Sequence, residues 1–520
     1  MSGSQVRIQA EVALIGENFI YVSNAHRITI GVPILEAPEP ITLFWNLSSG
    51  ELDLFCDEPA ALGMAVCSGG MLLVDNHHAQ VTHAVGDVVW IRLERGQHRI
   101  TGAISNATTT LKEQLNRLRE RTSGPPSCVT VAERFATLPQ LRTISAVQID
   151  GPAKRVLPGP VRGGSSCAYI ISERDAYLLS ANGKLEKRIE LETKIMSAAY
   201  WQEVDLLLLG GSNDVVYAFN GEGELRWAFR SEMDPDVQKT GKTYWFKDAL
   251  PGVRGLATGS LTSGRTQAFV GSACTIEVLD PDGDLVKRLP QFWGCCVVMN
   301  VVAKSDGSRK LLVSKWPNGV NDIGVIDGQD WSITYAYTAL PEGHTRIPDW
   351  TAMDTPHILV DDINGDGKME VILDVNGSWN YLCVYDADFK PLWALSFGPS
   401  LLPPHRHMRD LQVADIDGDG LKEIIVATEN GTVSAFSHDG RRKWFVDGAP
   451  PTCLCIVRER SASKLAIGHE DGTILVLDAA GRAISRSKLN GSIQALHALD
   501  SLEAGMVAGT SQGKVEILRL

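Results

Sequence analysis

Three glycines at a constant spacing near the C-terminus constrain the fold of this sequence more than any other feature. Gly431, Gly472 and Gly513 follow one another at intervals of 41 residues, in the segments "ENGTVSAF", "EDGTILVL" and "SQGKVEIL". A period of about 40 residues is typical of a repeat protein. Each unit contains short apolar runs separated by turn residues, a pattern that predicts four antiparallel strands per repeat.

The repeats extend back to about residue 140 and predict a β-propeller. Seven units end in a comparable hairpin, near residues 189, 230, 289, 338, 397, 446 and 487, and an eighth, at 492–520, stops after its third strand. A propeller avoids an open sheet edge when a strand from the start of the repeats completes the last blade. The segment "RTISAVQID" at 142–150 suits that role, so we predict eight blades over residues 140–520, with seven as the alternative.

Residues 1–105 predict a separate all-β domain, because 520 residues are too many for one compact core. Alternating runs such as "RITIGV" and "DVVWIRL", with turn residues between them, are typical of a β-sandwich. Residues 106–139 predict a helix and a linker. Leu111, Leu115 and Leu118 share one helical face there, and Gly-Pro-Pro follows.

Charge and composition exclude several partners. The net charge of −13 argues against binding nucleic acid through the overall field. Because no run of about 18 apolar residues exists, we expect no membrane insertion. No signal peptide is visible at the start, which favours a cytoplasmic location unless the sequence is a piece of a secreted protein. The ten cysteines include no CxxC pair and predict buried thiols rather than a zinc site.

Two acidic loops carry the most specific chemical signal. Residues 362–370 read "DINGDGKME" and residues 415–423 read "DIDGDGLKE". Oxygen-bearing side chains at positions one, three and five, a backbone carbonyl at position seven and a carboxylate at position nine are the hard donors that calcium prefers, six to eight of them at about 2.3–2.6 Å. We predict one calcium ion in each loop, with a metal-free acidic turn as the alternative. The predicted ligands are Asp362, Asn364, Asp366, Lys368 and Glu370, and Asp415, Asp417, Asp419, Leu421 and Glu423.

A strand begins directly at the ninth position of both loops, which distinguishes them from the longer, helix-flanked EF-hand loop. This form resembles the FG-GAP or VCBS repeat of integrin α-chain propellers. The resemblance implies that each loop joins the first and second strands of a blade, on a rim remote from any pocket. The stretch "LDPDGDLVKRL" at 279–289 has no acid at the ninth position and predicts a plain turn.

Some hairpins carry a second resemblance. The pattern A-F-x-x-x-G-x-x-x-W, around Phe219 and Trp227 and again around Phe436 and Trp444, resembles the pyrroloquinoline-quinone-type repeat. Trp393 keeps the tryptophan of this pattern without the glycine. The resemblance implies a packing role in the scaffold and does not imply the cofactor.

Loops predicted on the face opposite the calcium loops concentrate aromatic, basic and histidine side chains. Aromatic rings stack on sugars, and Arg or Lys pairs with carboxylates, so this face suits an anionic polysaccharide. The catalytic candidates, acting as a base or as a carboxylate binder, are His405, His407, Arg406, Arg409, His344 and Tyr244. The substrate-binding candidates are Trp245, Lys247, Trp293, Lys315, Trp316, Arg346, Trp350 and His357. Solvent-exposed histidines and tryptophans that cover blade edges are the alternative.

The favoured function is a calcium-stabilised propeller that binds or acts on polysaccharide, with a lyase as the enzymatic form considered. At the level of the fold, the chain is similar to rhamnogalacturonan-lyase and ulvan-lyase propellers. The alternative is a non-catalytic module that binds a glycan or a protein. A quinoprotein dehydrogenase, suggested by the adjacent Cys295 and Cys296, is a remote third possibility.

Overall fold

The computed structural model describes most of the chain. It leaves out residues 1–5, 10–11, 16–18, 31, 47–50, 57–58, 66–71, 76, 86–87, 103–137, 164, 240–249, 263–264, 317–322, 337–338, 341–353, 377–378, 400–407, 430, 459–462, 500–501 and 503–504. The predicted helix therefore lies outside the described residues. Within the described part, no helix is long and apolar enough to cross a membrane.

The N-terminal region is an antiparallel β-domain of eleven strands joined in one hydrogen-bonded sheet. The strands are β1 (Val6–Gln9), β2 (Val12–Ile15), β3 (Phe19–Ile30), β4 (Val32–Asn46), β5 (Leu52–Cys56), β6 (Ala60–Ala65), β7 (Leu72–Val74), β8 (His77–His78), β9 (Val81–Val85), β10 (Val88–Leu93) and β11 (Gly96–Gly102). The long strand β4 pairs with β6 near Leu35 and with β5 from Ile41 to Trp45. Because β4 changes partner along its length, strands from both halves of the sheet enclose one apolar core.

Antiparallel four-stranded sheets follow one another after residue 140. The first two contain β13 (Arg155–Arg162), β14 (Ser165–Ile171), β15 (Asp175–Leu179) and β16 (Leu185–Glu190), then β17 (Ile195–Trp201), β18 (Leu206–Gly211), β19 (Val215–Asn220) and β20 (Leu225–Arg230). Three later sheets contain β27 (Asp354–Asp361), β28 (Glu370–Asn376), β29 (Trp379–Asp386) and β30 (Pro391–Pro399), then β31 (Met408–Ala414), β32 (Glu423–Thr428), β33 (Thr432–Phe436) and β34 (Arg442–Asp447), then β35 (Pro451–Arg458), β36 (Ser463–His469), β37 (Thr473–Leu477) and β38 (Ala483–Lys488). A 3-10 turn (Gln202–Val204) and a one-turn helix, α1 (Pro235–Gln238), interrupt the series.

A six-stranded sheet lies between these groups. It contains β21 (Gly255–Gly259), β22 (Gln267–Leu279), β23 (Leu285–Ala303), β24 (Arg309–Trp316), β25 (Ile323–Asp327) and β26 (Ile333–Ala336). The two long strands each pair in two separate stretches: β22 pairs with β21 up to Gly271 and with β23 from Ala273 onward, and β23 goes on to pair with β24 from Cys295. Its pairing therefore resembles two four-stranded units that run into each other, and the count of eight blades stays a prediction.

The start of the repeats completes the last sheet. Strand β12 (Arg142–Gln148) pairs antiparallel with β41 (Lys514–Arg519), beside β40 (Gly505–Thr510) and β39 (Ile493–Ala498). The hydroxyl of Thr143 donates to Glu516 Oε2 at 3.0 Å across this joint. The prediction that the segment 142–150 supplies the closing strand is confirmed. In addition, β39 of this sheet packs against β13 of the first sheet, so the series of sheets returns to its start.

Burial follows strand position because each sheet is covered by its neighbours on both faces. The second and third strands of the sheets are mostly buried, and β18 in "LLLLGG" and β37 in "TILVL" are buried at every residue. The outer strand β20 alternates exposed and half-buried residues instead. Continuous apolar runs therefore mark the middle strands, and mixed runs mark the outer strands.

Tryptophans on outer strands join one sheet to the next. Trp227 on β20 donates its indole N–H to the carbonyl of Pro281 at 2.9 Å, in the turn between β22 and β23. The indole N–H of Trp393 donates to the carbonyl of His438, and that of Trp444 to the carbonyl of Ala479, both at 2.9 Å. Each accepting turn contains a glycine with positive φ, where an added Cβ would lie 2.6 to 3.1 Å from the indole ring; these glycines are Gly283, Gly440 and Gly481. The packing role predicted for this hairpin pattern is confirmed.

Trp393 belongs to the hairpin that lacks the glycine. Phe389 takes the turn position there, with φ of 63°, and its ring stacks on Tyr385 with the centroids 4.2 Å apart. A left-handed conformation costs a residue other than glycine about 1–2 kcal/mol, and aromatic stacking of this kind contributes about 0.5–1.5 kcal/mol. The stacked pair therefore offsets much of the strain at this turn.

The tryptophan contact can be separated from backbone strain by two glycine substitutions. We expect Gly481→Ala to destabilise the protein by more than the roughly 1 kcal/mol that positive φ alone costs, because the new Cβ would meet the Trp444 ring at 2.7 Å. Gly307→Ala is the matched control, because Gly307 has a similar φ of 81° and no atom within 4 Å of the added Cβ. Urea denaturation gives the comparison, and equal losses in both variants would show that the tryptophan contact contributes nothing.

Candidate functional site

The two acidic loops each join the first and second strands of a sheet, as predicted. Residues 362–369 connect β27 to β28, and residues 415–422 connect β31 to β32. The ninth residue of each loop, Glu370 or Glu423, is the first residue of the second strand and is buried. The similar stretch at 280–284 is instead a tight turn between β22 and β23, in which Asp280 Oδ1 accepts from the N–H groups of Asp282 and Asp284.

Both loops are shaped by their own aspartates. Asp362 accepts from the N–H groups of Gly365 and Gly367 at 2.8 and 2.9 Å, one on each carboxylate oxygen. Asp415 repeats the arrangement with Gly418 and Gly420 at 2.7 and 3.0 Å. These glycines have positive φ, between 73° and 87°, which allows the sharp turn. Each loop is therefore folded around the side chain of its first residue.

The donor set of the second loop fits a calcium ion. Carboxylate oxygens of Asp415, Asp417 and Asp419 all lie within 4.8 Å of one another. Oxygens at that separation can reach one ion at about 2.3–2.6 Å. In the first loop Asn364 takes the third position, so its donors are two aspartates, one amide oxygen and Glu370. The residues present thus fit the metal that the resemblance implies, and the presence of the ion stays a proposal.

The two loops touch each other. The backbone N–H of Lys422 donates to the carbonyl of Ile363 at 2.9 Å, and the Lys422 ammonium contacts Asp361 Oδ1 at 2.5 Å. These bonds join the β27–β28 connection to the β31–β32 connection. The two loops are therefore in direct contact through Lys422.

A lysine distinguishes the second loop from the first. Lys443 Nζ lies 2.6 Å from Asp417 Oδ2 and 2.7 Å from Glu423 Oε1. Burial alone would lower the pKa of Lys443, but the bonds to these two carboxylates raise it well above its usual range. The Lys443 bond in turn lowers the pKa of Asp417. In the first loop, burial raises the pKa of Glu370, and the nearby charges of Asp366 and Asp362 raise it further.

A histidine lies between two carboxylates at the end of the sheet opposite the acidic loop. We call this the entry end, and it is defined by the N-terminal ends of β27, β31 and β35. His357 Nδ1 lies 2.6 Å from Asp374 Oδ2, and the His357 backbone N–H donates to Asp374 Oδ1 at 2.8 Å. His357 Nε2 faces Asp410 Oδ1 at 3.6 Å. The Asp374 side chain is fully buried, whereas the His357 side chain is 28% exposed. His357 is therefore oriented from within and open to solvent on one side.

Asp410 links this histidine to the next sheet. Its Oδ2 accepts from the N–H of Leu454 on β35 at 2.6 Å, and its Oδ1 accepts from the N–H of Leu411. Burial raises the pKa of Asp410, and the charge of His357 opposes that effect. A polar connection thus runs across three neighbouring sheets at the entry end.

Arg409, predicted as a carboxylate binder, already contacts two acids of the protein. Its Nη2 lies 3.4 Å from Glu429 Oε2 and 3.7 Å from Glu470 Oε1. Burial raises the pKa of Glu429, Arg409 lowers it and Glu470 raises it. The positive charge of Arg409 is therefore shared with two glutamates, and a role toward a substrate stays a prediction.

Most of the other predicted site residues lie outside the described residues. These are His405, His407, Arg406, His344, Tyr244, Trp245, Lys247, Arg346 and Trp350. For Trp293, Lys315 and Trp316 the structure describes the backbone, in β23 and β24, and not the side chain. His357 and Arg409 are the described members of the predicted set.

Sequence reasoning missed Asp374, Asp410, Glu429 and Lys443. A signal existed for the first two. In the first hairpin, Asp361 pairs with Glu370 and His357 pairs with Asp374. Asp410 lies at the same distance before its acidic loop as His357 does before its own. The partners of Lys443 depend on a β-bulge that recurs at the equivalent place in other hairpins, and the sequence did not indicate that the bulged residue contacts the acidic loop.

Family models match two parts of the chain. A lambda-carrageenase beta-propeller domain model matches residues 406–492, and an FG-GAP-like repeat model matches residues 362–426. No curated protein matches the chain. The carrageenase-type match spans the sheets β31–β34 and β35–β38, and the FG-GAP-like match spans both acidic loops.

Solved structures with a similar fold are β-propellers. The Dos1 propeller is 11% identical, with a TM-score of 0.52, over 73% of this chain and 95% of that one. BamB from Moraxella catarrhalis is 15% identical, with a TM-score of 0.49, over 73% of this chain and all of the other. At these identities the likeness concerns the fold alone. The series of sheets and the likeness to the Dos1 propeller make most of the described chain a β-propeller, and the family match places FG-GAP-like repeats within residues 362–426.

The Arg409 cluster gives a prediction with a defined pH dependence. In Arg409→Gln, the pKa of Glu429 should rise further above its ordinary value of 4.5. A group whose pKa is raised by folding costs stability above that pKa and nothing once both states are protonated. We therefore expect a loss of about 0.5 kcal/mol at neutral pH, small because the side chains are partly exposed, that vanishes below the ordinary glutamate pKa.

Urea denaturation of Arg409→Gln at neutral and acidic pH measures this effect. Arg409→Lys is the control, because it keeps the positive charge. A loss of the same size at both pH values would mean that Arg409 acts through packing and not through its charge.

Proposed function

We propose that this chain is a calcium-stabilised β-propeller that binds or cleaves an anionic polysaccharide at the entry end of the β27–β30 and β31–β34 sheets. One observation carries the proposal: His357 stands between the carboxylates of Asp374 and Asp410, with part of its ring open to solvent. A histidine oriented by a buried carboxylate is a common arrangement for a general base.

The geometry gives each residue a distinct role. The contact of Asp374 with Nδ1 favours the tautomer that carries its proton there, which leaves the lone pair on Nε2. Asp410 stands beside Nε2, and its carboxylate would stabilise the imidazolium formed when that nitrogen takes a proton. A lyase that acts on uronic acids needs such a base for the proton beside the carboxylate. This role for His357 goes beyond the substrate contact that the sequence suggested.

The carboxylate of such a substrate also needs a positive partner. Arg409 is shared with Glu429 and Glu470, so it offers only part of its charge. Arg406 and the histidines His405 and His407 directly precede β31 in the sequence and stay the predicted candidates. His344, Arg346 and Trp350 precede β27 in the same way.

The comparisons support the substrate class. The matched model is named for a carrageenase, an enzyme that acts on a polysaccharide. The match covers the β31–β34 sheet, which contains Arg409. The FG-GAP-like match supports the calcium part of the proposal, because it covers both acidic loops. An ion there would brace two neighbouring sheets at the end remote from His357.

A non-catalytic binding module is the second candidate. Arg409 favours it, since an arginine held by two glutamates is less suited to a developing negative charge than an arginine without acidic partners. A glycan or a protein could then be the ligand that binds at the entry end. The quinoprotein alternative has least support, because Cys295 and Cys296 are fully buried in β23 and are not exposed at a cofactor surface.

Activity and binding are tested together with variants of His357. We expect the protein to bind, and in the catalytic case to cleave, a member of a panel that includes λ-carrageenan and polygalacturonate. His357→Gln should abolish cleavage, or weaken binding at least tenfold, because it removes the group that Asp374 orients; general bases contribute about 10²–10⁴ in rate.

Reducing-end assays, ultraviolet absorbance of unsaturated products and calorimetric binding give the readouts. His438→Gln is the control, because His438 lies in the turn between β33 and β34, away from the entry end. Binding without any product would favour the binding module. Unchanged binding and cleavage in His357→Gln would remove this site.

Calcium binding is tested by thermal unfolding. We expect calcium to raise the melting temperature by mass action, with about 3 kcal/mol of stabilisation at a hundred times the dissociation constant. The double variant Asp366→Ala, Asp419→Ala should lose this response, because each substitution removes a carboxylate at the fifth loop position. Asp282→Ala, in the look-alike turn, should keep it. A calcium response that persists in the double variant would place the ions elsewhere.

A further inference from the structure

The sheets that carry the two acidic loops differ at one equivalent position of their outer strands. Lys443 and Leu392 are both the extra residue of a β-bulge near the start of the outer strand of their sheet. The pairing shifts register between Ala435 and Phe436 opposite Lys443, and between Val384 and Tyr385 opposite Leu392. One bulge thus presents an ammonium group and the other an isobutyl group, which is 51% exposed.

The Lys443 ammonium contacts two oxygens that belong to the predicted calcium ligands. It lies 2.6 Å from Asp417 Oδ2, at the third loop position, and 2.7 Å from Glu423 Oε1, at the ninth. Glu423 is 2% exposed on its side chain, so its charge needs a partner close by. In the first loop the corresponding oxygen, Glu370 Oε1, is contacted by the neutral amide of Asn364 at 3.3 Å.

No described basic side chain takes the place of Lys443 in the first loop. Lys368 is largely exposed and lies 3.5 Å from Asp366 Oδ2. Lys422 contacts Asp361, which precedes the loop and is not among the predicted ligands. Among the described residues, Glu370 therefore has no ammonium group in contact with it, in contrast to Glu423.

We infer that Lys443 is a tethered cation that competes with a divalent ion for the 415–423 loop, so that the two loops bind calcium with different affinity. The 362–370 loop binds first, and the 415–423 loop fills only when the ion displaces the ammonium from Asp417 and Glu423. Without calcium, the second loop stays neutralised and the first does not. This inference rests on the proposed calcium binding and gives the two loops separate roles, one stabilised by the ion and one already stabilised by a side chain.

Calcium titration calorimetry on full-length single-loop proteins tests the inference. Asp366→Ala leaves the second loop intact, and Asp419→Ala leaves the first. Adding Lys443→Met to Asp366→Ala should tighten calcium binding on the order of tenfold or more, because a charge in contact with two ligands is removed. Adding Leu392→Lys to Asp419→Ala should weaken binding on the order of tenfold, because it transfers the ammonium to the equivalent bulge.

The outcomes separate the two proposals. Equal calcium affinities with and without Lys443 in the Asp366→Ala background would overturn the inference. So would an absence of calcium binding in Asp366→Ala with Lys443→Met when Asp419→Ala binds calcium. If no variant binds calcium, the proposed calcium function itself fails and the inference falls with it. Circular dichroism confirms folding of each variant, and Lys443→Gln replaces Lys443→Met if that protein does not fold.

Discussion

The pairing of β12 with β41 is the constraint on which the propeller depends. A row of twisted sheets has two open edges, and only a strand from the start of the row can cover the last one. Residues 142–148 do so by pairing with 514–519, and β39 then packs beside β13. Every sheet is thereby covered on both faces. Most positions of the middle strands are apolar for this reason, and polar groups lie mainly on the outer strands and at the two ends of the sheets.

The two ends use charge in different ways. At the acidic loops the carboxylates face one another on half-exposed turns, and backbone N–H groups, lysines or a metal ion are their available partners. At the entry end the carboxylate of Asp374 is buried and that of Asp410 is 13% exposed; each accepts a backbone N–H, and His357 stands between them. The first arrangement suits a mobile cation, whereas the second fixes the position of one titratable ring. The same two sheets carry both, because the strands β27 and β31 run from one end to the other.

Much of the fold could be predicted from the sequence because its signals are local. The turn glycines, the apolar middle strands and the nine-residue acidic loops each lie within one hairpin. The closing strand was also predictable, since closure demands a partner for the last three strands. The six-stranded sheet was not, because nothing in "GSACTIEVL" marks that β22 continues from one pairing partner to the next. Cys274 takes a positive φ of 53° at that point, a conformation that glycine would have signalled and cysteine does not.

The candidate sites were likewise easier to predict where their residues lie close together in the sequence. The proposed calcium ligands lie within one short loop each and could be predicted, whereas Lys443 contacts its loop from a β-bulge twenty residues further along the chain. Asp374 and Asp410 needed the register of two hairpins and the adjacency of two sheets. Arg409 was predicted for its charge. Its partner Glu429 lies between β32 and β33 of the same sheet, and Glu470 lies between β36 and β37 of the following sheet.

The tryptophan contacts have a direction, since each indole reaches forward to the turn of the following sheet. The β31–β34 sheet both receives a ring, on Gly440, and supplies one, Trp444 on its outer strand. A copy of such a repeat inserted between two others would restore both junctions at once, without compensating changes in its neighbours. A series of sheets joined in this way can therefore be lengthened by one unit, whereas the hairpin with Phe389 has no turn glycine to receive a ring.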